Sequence, residues 1–269
     1  MTILFTKMQA LGNDFVVMNT LSQSVSTHPA FMRYLADRRT GVGCDQVLLI
    51  TKPWSDRADF GYRIFNADGS EVYQCGNGAR CIALLIHEEK ISSKKSLVLE
   101  TKKALLKTQY HSRDAIEVNM GKPDFNFESL PFLEKKFEEK SLPFFLVSVG
   151  NPHCVFVADI IQETALTKMG ETLNQHPAFP EGVNVGFMKI HSSDTVDLCV
   201  YERGAGLTKA CGSGATAAVA IGQRQKLLGD AVTVCQTGGN LCVALSAEDA
   251  SLITTGPASM IFQGTIADF

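Results

Sequence analysis

Two stretches of the chain carry a thiol in the same setting, "QCGNGARCI" (Gln74 to Ile82) and "ACGSGATAA" (Ala210 to Ala218). In each, a cysteine precedes Gly, a polar residue, Gly and Ala, where a small-residue helix begins. The first turn of a helix leaves N–H groups unpaired and adds positive potential. A cysteine there has its thiolate favoured, so its pKa can fall below about 8.5. The flanking glycines let the backbone approach a bound anion, and Asn77 and Ser213 add a donor at matching places. Each motif therefore reads as an activated thiol joined to a cradle for a carboxylate or phosphate. Two such thiols facing one ligand would suit inversion of a carbon stereocentre. A thiolate removes a proton from one face, and a thiol delivers one to the other.

A repeated motif implies a repeated scaffold. "LGNDFVV" (Leu11 to Val17) has a counterpart in "VGNPHCVFV" (Val149 to Val157), each with Gly-Asn ahead of an alternating run. Asn13 lies 33 residues before Gln46 in "GVGCDQVLLI", and Asn151 lies 33 before Asn184 in "EGVNVGFMKI". Gln46 precedes Cys75 by 29 residues, and Asn184 precedes Cys211 by 27. Landmarks in one order, at offsets of 138 and then 136, point to two similar domains, 1–118 and 119–257. The turn-rich "GKPDFNFESLPF" (Gly121 to Phe132) reads as their connection.

Between the landmarks short strands are predicted over 98–101, 105–110, 197–201, 232–237 and 241–245, with "TGGN" (Thr237 to Asn240) as a hairpin turn. One long helix follows each Cys-Gly motif, the second predicted over 213–228 with Gly229 as its cap. Its first turns, "GATAAVAIG", are small and apolar on every side, which suits a helix enclosed by sheet. The expected class is α+β: two pseudo-symmetric domains, each a mixed or antiparallel sheet wrapped as a barrel around a central helix.

The remaining composition narrows the function classes. The chain has 269 residues, 45% apolar and 20% charged, as expected of a globular protein. A net charge of -3 gives no electrostatic case for a nucleic-acid or membrane partner. No apolar run reaches the length of a membrane span, and "MTILFTKMQA" lacks the pattern of a signal peptide, so a cytoplasmic location is expected. The eight cysteines are expected to stay reduced, and no C-x-x-C pair suggests zinc or a thioredoxin-like site. Cys44, Cys81, Cys154, Cys199, Cys235 and Cys242 read as small core residues. The charge-rich runs "EEKISSKK" (Glu88 to Lys95) and "EKKFEEK" (Glu134 to Lys140) read as solvated surface. No dinucleotide or Walker A motif is present, and neither cofactor nor metal is expected.

"KMQALGNDFVV", "RRTGVGCDQVLLI", "RIFNADGSEVYQCGNGARC", "GNPHCVFV", "GVNVGF" and "YERGAGLTKACGSGATAA" together resemble diaminopimelate epimerase, in order from Lys7 to Ala218. The resemblance implies a cofactor-independent enzyme that interconverts LL- and meso-2,6-diaminopimelate for lysine and peptidoglycan precursors. It also implies a homodimer and a C-terminal strand, 258–269, returning to the first domain. Cys75 and Cys211 would be the catalytic acid/base pair, and Gly76, Asn77, Gly212 and Ser213 would hold the reacting carboxylate. Asn13, Gln46, Asn66, Asn151, Asn184, Glu202 and Arg203 would contact the substrate, with Arg203 pairing its distal carboxylate. His153 and Glu202 would tune the thiols. Leu207 departs from the pattern, standing where the family often has Glu.

Other classes fit less well. A cysteine phosphatase needs an arginine six positions after its nucleophile, where this chain has Cys81, with Arg80 one short. A thiol-disulfide redox protein could use the same cysteines, and an amino-acid-binding protein the same amides. Proline-type racemases also use two cysteines, but "ALGNDF" and "YERGAG" favour diaminopimelate.

Overall fold

Gly12 and Gly150 both take left-handed backbone, at φ 80° and 93°, a region a Cβ would resist. Each leads into the strand that follows its Gly-Asn landmark, β2 (Asn13–Asn19) and β10 (Pro152–Val157). The structure, a computed structural model, describes residues 2–126 and 144–267. The later part of the expected connection, 127–132, the charged run 134–140 and the last two residues of 258–269 lie outside the described residues. The chain forms two compact units, Met1–Asn119 with Gly256–Phe269, and Met120–Thr255.

In the first unit β1 (Thr2–Ala10) pairs antiparallel with β2, and β2 runs parallel to β3 (Gln46–Thr51). β4 (Phe60–Asn66) lies antiparallel to β3 and to the short β5 (Glu71–Val72), and parallel to β6 (Ser96–Glu100). Antiparallel pairs then link β6 to β7 (Leu105–Ser112) and β7 to β8 (Ala115–Asn119). The second unit uses β9 (Phe144–Ser148), β10, β11 (Asn184–Ser192), β12 (Thr195–Glu202), β13 (Gly206–Thr208), β14 (Ala231–Gln236), β15 (Gly239–Leu245) and β16 (Leu252–Gly256). Strand for strand, their pairings repeat the senses of the first unit. The first unit alone adds β17 (Ser259–Ala267), antiparallel to β1.

Every parallel pair requires a crossover. These are α1 (Pro29–Ala36), α2 (Gly76–Glu88), α3 (Glu163–Gln175) and α4 (Gly212–Arg224), so among the described residues each half has two helices where the sequence led us to expect one. The sequence signals of the extra pair are slight. α1 has eight residues with proline in its first turn, and α3 buries only Leu166, Gly170 and Leu173. Period-two alternation sorts the strand side chains between the helices. Val16, Met18, Val47 and Leu49 join the α1 residues Phe31, Met32 and Leu35 in one cluster. Their counterparts at offset 138, Cys154, Phe156, Val185 and Phe187, join Leu166 and Leu173 of α3 in another. The opposite face encloses α2, whose residues from Gly76 to Ile86 are all buried against β1, β2, β3, β7, β8 and β17. α4 is enclosed in the same way by β9, β10, β11, β12 and β15. The class is α+β, built twice on one plan.

α4 ends at Arg224, four residues short of the expected 228, and the left-handed cap is Lys226 (φ 60°), not Gly229. Lys226 N–H donates to Gln223 O (3.0 Å) and Leu227 N–H to Gly222 O (2.8 Å), the pairing of a Schellman motif. α2 closes identically, with Lys90 at φ 54° and bonds from Lys90 and Ile91 to His87 O and Ile86 O. Leu228 packs on Gly222, where any Cβ would collide with it. That contact stops the helix before Gly229. The core reading of the spare cysteines also needs correction. Cys44, Cys81, Cys154 and Cys199 are buried, but Cys235 is half-buried and Cys242 exposed, because alternation along β15 turns Cys242 outward while Leu241 and Val243 point in.

Candidate active site

Both motif cysteines are N-cap residues. Cys75 has extended backbone (φ -155°, ψ 103°) and its Sγ accepts the Gly78 N–H at 3.3 Å. Cys211 does the same with Gly214, also at 3.3 Å. A side chain accepting from the third helical residue is the role usually filled by Ser, Thr, Asp or Asn. Close packing demands the glycines. A Cβ on Gly78 would strike the Tyr62 hydroxyl, and one on Gly214 would lie 2.8 Å from Val200 Cγ2.

In the first unit Gly76 opens α2 next to Cys75, and Asn13, Gln46, Asn66 and Asn77 form two pairs. Asn77 Nδ2 lies 3.5 Å from Asn13 Oδ1, and Gln46 Nε2 donates to Asn66 Oδ1 at 2.9 Å. Asn13 Nδ2 donates to Asp45 Oδ2 (2.8 Å), and Arg38 bridges Asp45 (2.8 Å) to Asp14 (2.7 Å). Lys7 completes this network on Asp14 and on the carbonyl of Gly43. Burial raises the Asp14 carboxyl, but hydrogen bonds and charge from Arg38 and Lys7 outweigh it and hold the pKa well below the usual range. Tyr62 donates to the Cys75 carbonyl at 3.1 Å. Arg38 and Asp45 fall within the motif "RRTGVGCDQVLLI" but drew no role there, and Tyr62 lies one residue before the next motif, because what they contact is other side chains and backbone of the site.

In the second unit the cluster is a chain of contacts. Cys211 Sγ lies 3.4 Å from Ser213 Oγ, which lies 3.1 Å from His153 Nε2, which lies 3.0 Å from Asn151 Oδ1. An amide oxygen only accepts, so His153 Nε2 carries the proton in this arrangement. Burial, aided by the charge of Arg203, pulls the His153 pKa down to about 3, so the ring is neutral. Both ends of the Asn184 amide meet backbone, at Pro152 O (3.0 Å) and Arg203 N–H (3.0 Å). The exposed Arg203 side chain donates to Glu181 O at 2.6 Å. Glu202 accepts from Thr208 Oγ1 at 2.7 Å and shares a hydrogen bond with Cys211. Leu207, the departure from the motif, is on β13 and exposed. Gln236, which no motif marked, accepts the Cys211 N–H at 2.8 Å.

The expectation that a helix start lowers the thiol pKa fails at Cys211. Burial pushes this thiol well up, and the Glu202 carboxylate pushes it further. The donors Ser213 and Gly214 only partly offset them. Desolvation of a nearly fully buried thiolate outweighs one turn of helix dipole. Burial likewise raises Cys44 to about 12 and Cys81 further still, so neither is an activated thiol. Among the described residues no cluster of three or more His, Cys, Asp or Glu could hold a metal, and no helix is long and apolar enough to cross a membrane.

The fold is shared with solved structures of low sequence identity. It matches a hydroxyproline epimerase from Agrobacterium vitis at a TM-score of 0.75 and 17% identity, over 99% of this chain and 92% of that one. A probable proline racemase from Agrobacterium radiobacter matches at 0.76 and 16% identity, over 98% and 93%. A PhzF-family phenazine biosynthesis protein from Bacillus anthracis matches at 0.73 and 16% identity, over 99% of both chains. The family model for diaminopimelate epimerase covers residues 5–126 and 145–261, and the chain belongs to that family.

Proposed function

We propose that the protein epimerises LL- and meso-2,6-diaminopimelate by proton transfer at the α-carbon, with Cys75 and Cys211 as the acid/base pair. The observation that carries this reading is the recurrence of one device, a thiol capping an enclosed helix beside a polar donor, in both units of a diaminopimelate epimerase family chain. Inversion requires a base on one face of the carbon and an acid on the other. One sulfur, as thiolate, takes the α-proton, and the electron pair left on carbon is shared with the adjacent carboxylate. The other sulfur, as thiol, gives its proton to the opposite face. Charge growing on that carboxylate is met by the N–H groups of Gly76, Asn77, Gly212 and Ser213 at the helix starts.

In this reading Asn13, Gln46, Asn66, Asn151, Asn184, Glu202 and Arg203 hold the distal amino-acid end. A zwitterion taken from water needs such donors and acceptors. Neutral His153 acts through Ser213 on Cys211. The test is incubation of reduced protein with LL-diaminopimelate in D2O, following the α-proton by NMR. The expected result is deuterium exchange with appearance of the meso isomer. Exchange with proline or hydroxyproline but not with diaminopimelate would keep the thiol chemistry and replace the substrate. No exchange with any of them, in folded and reduced protein, removes the epimerase reading.

A further inference from the structure

Among the described residues, three buried side-chain polar atoms have no hydrogen-bond partner: Gln46 Oε1, Arg80 Nη1 and Gln236 Nε2. Arg80 differs from the two amides in carrying a full charge. It is 0% exposed on α2, five residues after the N-cap Cys75. Among the described residues no carboxylate pairs with it. Its polar contacts are Asn77 Oδ1, 2.6 Å from Nη2, and Pro257 O, 3.2 Å from Nε. Burying a guanidinium against neutral acceptors alone is costly, and burial draws its pKa down to about 10, which leaves it charged at neutral pH.

Two consequences follow from that placement. An arginine only donates, so Asn77 must turn Oδ1 toward it and Nδ2 the other way, where Asn13 Oδ1 lies 3.5 Å off. The titratable groups whose charges reach Arg80 are Cys75 and Cys81 on α2 and Tyr62 on β4. Burial keeps Cys81 and Tyr62 protonated. Cys75 is only half-buried and already accepts a backbone N–H, so it is the group able to balance the cation. We propose that Arg80 is the positioning residue of the first cradle, turning the Asn77 NH2 toward a bound carboxylate and serving as the built-in counter-cation of a Cys75 thiolate. At offset 136 the second unit has Thr216, whose hydroxyl merely donates to Gly212 O at 2.9 Å.

The carboxylate half of the proposal rests on the epimerase reading, whereas the Arg80–Cys75 pairing does not. Arg80→Met and Arg80→Lys are made in the full chain, and folding is checked by circular dichroism. Alkylation of Cys75 by iodoacetamide is followed against pH by peptide mass. At pH 7, R80M is expected to alkylate about tenfold more slowly than wild type, with the profile displaced to higher pH. R80K keeps the charge and stays within about threefold of wild type, but its KM for diaminopimelate rises because an ammonium cannot reproduce the guanidinium fork. Folded R80M that alkylates at the wild-type rate overturns the proposal. If R80M does not fold, R80K decides: slow alkylation or an unchanged KM overturns it. Failure of the wild-type protein to exchange the α-proton would remove the epimerase reading and leave the alkylation comparison standing.

Discussion

Cys75 and Cys211 cap equivalent helices with equal bonds to the third residue, yet the charges around them have opposite sign. Cys75 has buried Arg80 in its own helix, where α4 has Thr216. Cys211 has Glu202, where the first unit has Asn66 at offset 136. His153 stands at the place of Phe15, each beside its partner strand's landmark residue in register, Asn184 and Gln46. The loop before β3 is fixed by the ion network of Lys7, Asp14, Arg38 and Asp45. The loop before β11 is fixed by Asn174, which bonds the N–H and C=O of Val183 at 3.1 and 2.9 Å. A repeated backbone thus carries two electrostatic environments. The second holds its thiol protonated, by burial and the Glu202 charge, whereas the first sets a buried cation in the helix that its thiol caps.

The largest effect tests whether both halves are needed. Cys75→Ala and Cys211→Ala should each lower epimerisation by roughly 10²–10⁴ or more, read as formation of the meso isomer by NMR. Wild-type turnover in either variant would reduce the paired motif to a structural repeat.

Acid should expose the next difference. His153 has a folded pKa of about 3 against a model value of 6.5. Below about 6.5 the unfolded chain therefore takes up a proton that the folded ring refuses. Its contribution is complete above that pH and is lost on acidification toward about 3, with a slope of up to about 1.4 kcal/mol per pH unit. His153→Phe installs the residue of the other half and should remove this slope. Denaturant midpoints at pH 7.5 and pH 5 measure it, and an identical pH dependence in wild type and variant would contradict the burial argument.

Smaller effects probe the helices. Gly78→Ala forces a methyl against the Tyr62 hydroxyl, itself fixed on the Cys75 carbonyl, and should cost about 1–3 kcal/mol in thermal unfolding. Gly214→Ala, against a valine methyl, should cost less. Equal losses would mean the two enclosures are equally tight. Smallest of all, Lys90→Gly and Lys226→Gly should each stabilise the chain by up to about 1 kcal/mol, since both relieve left-handed backbone in matching caps. Unequal gains would break the symmetry of the helix ends.

Much of this was legible because it is local or periodic. The offsets of 138 and 136 announced the duplication, and Cys-Gly-polar-Gly announced an N-cap thiol, since capping depends on residues three apart. The strand read at 105–110 was seen as β7 because alternation shows in the letters. α1 and α3 were hidden because eight residues, or two buried leucines in thirteen, leave almost no periodic signal. The end of α4 was misplaced because Gly229 looked like a cap, whereas Leu228 folding back on Gly222 stops the helix earlier.

The chain's sequence by itself determined the repeat, the enclosed helices and the thiol at each helix start. Only the tertiary structure decided what those thiols experience. Desolvation and charge depend on groups far away in the chain, so burial and Glu202 turn Cys211 against the direction its helix suggests. Arg80, a residue that the spacing argument passed over, becomes a buried cation beside Asn77 because the sheet closes around α2. Local pattern fixes where a side chain starts. The dielectric and the charges that set its chemistry are assembled only when distant strands pack around it.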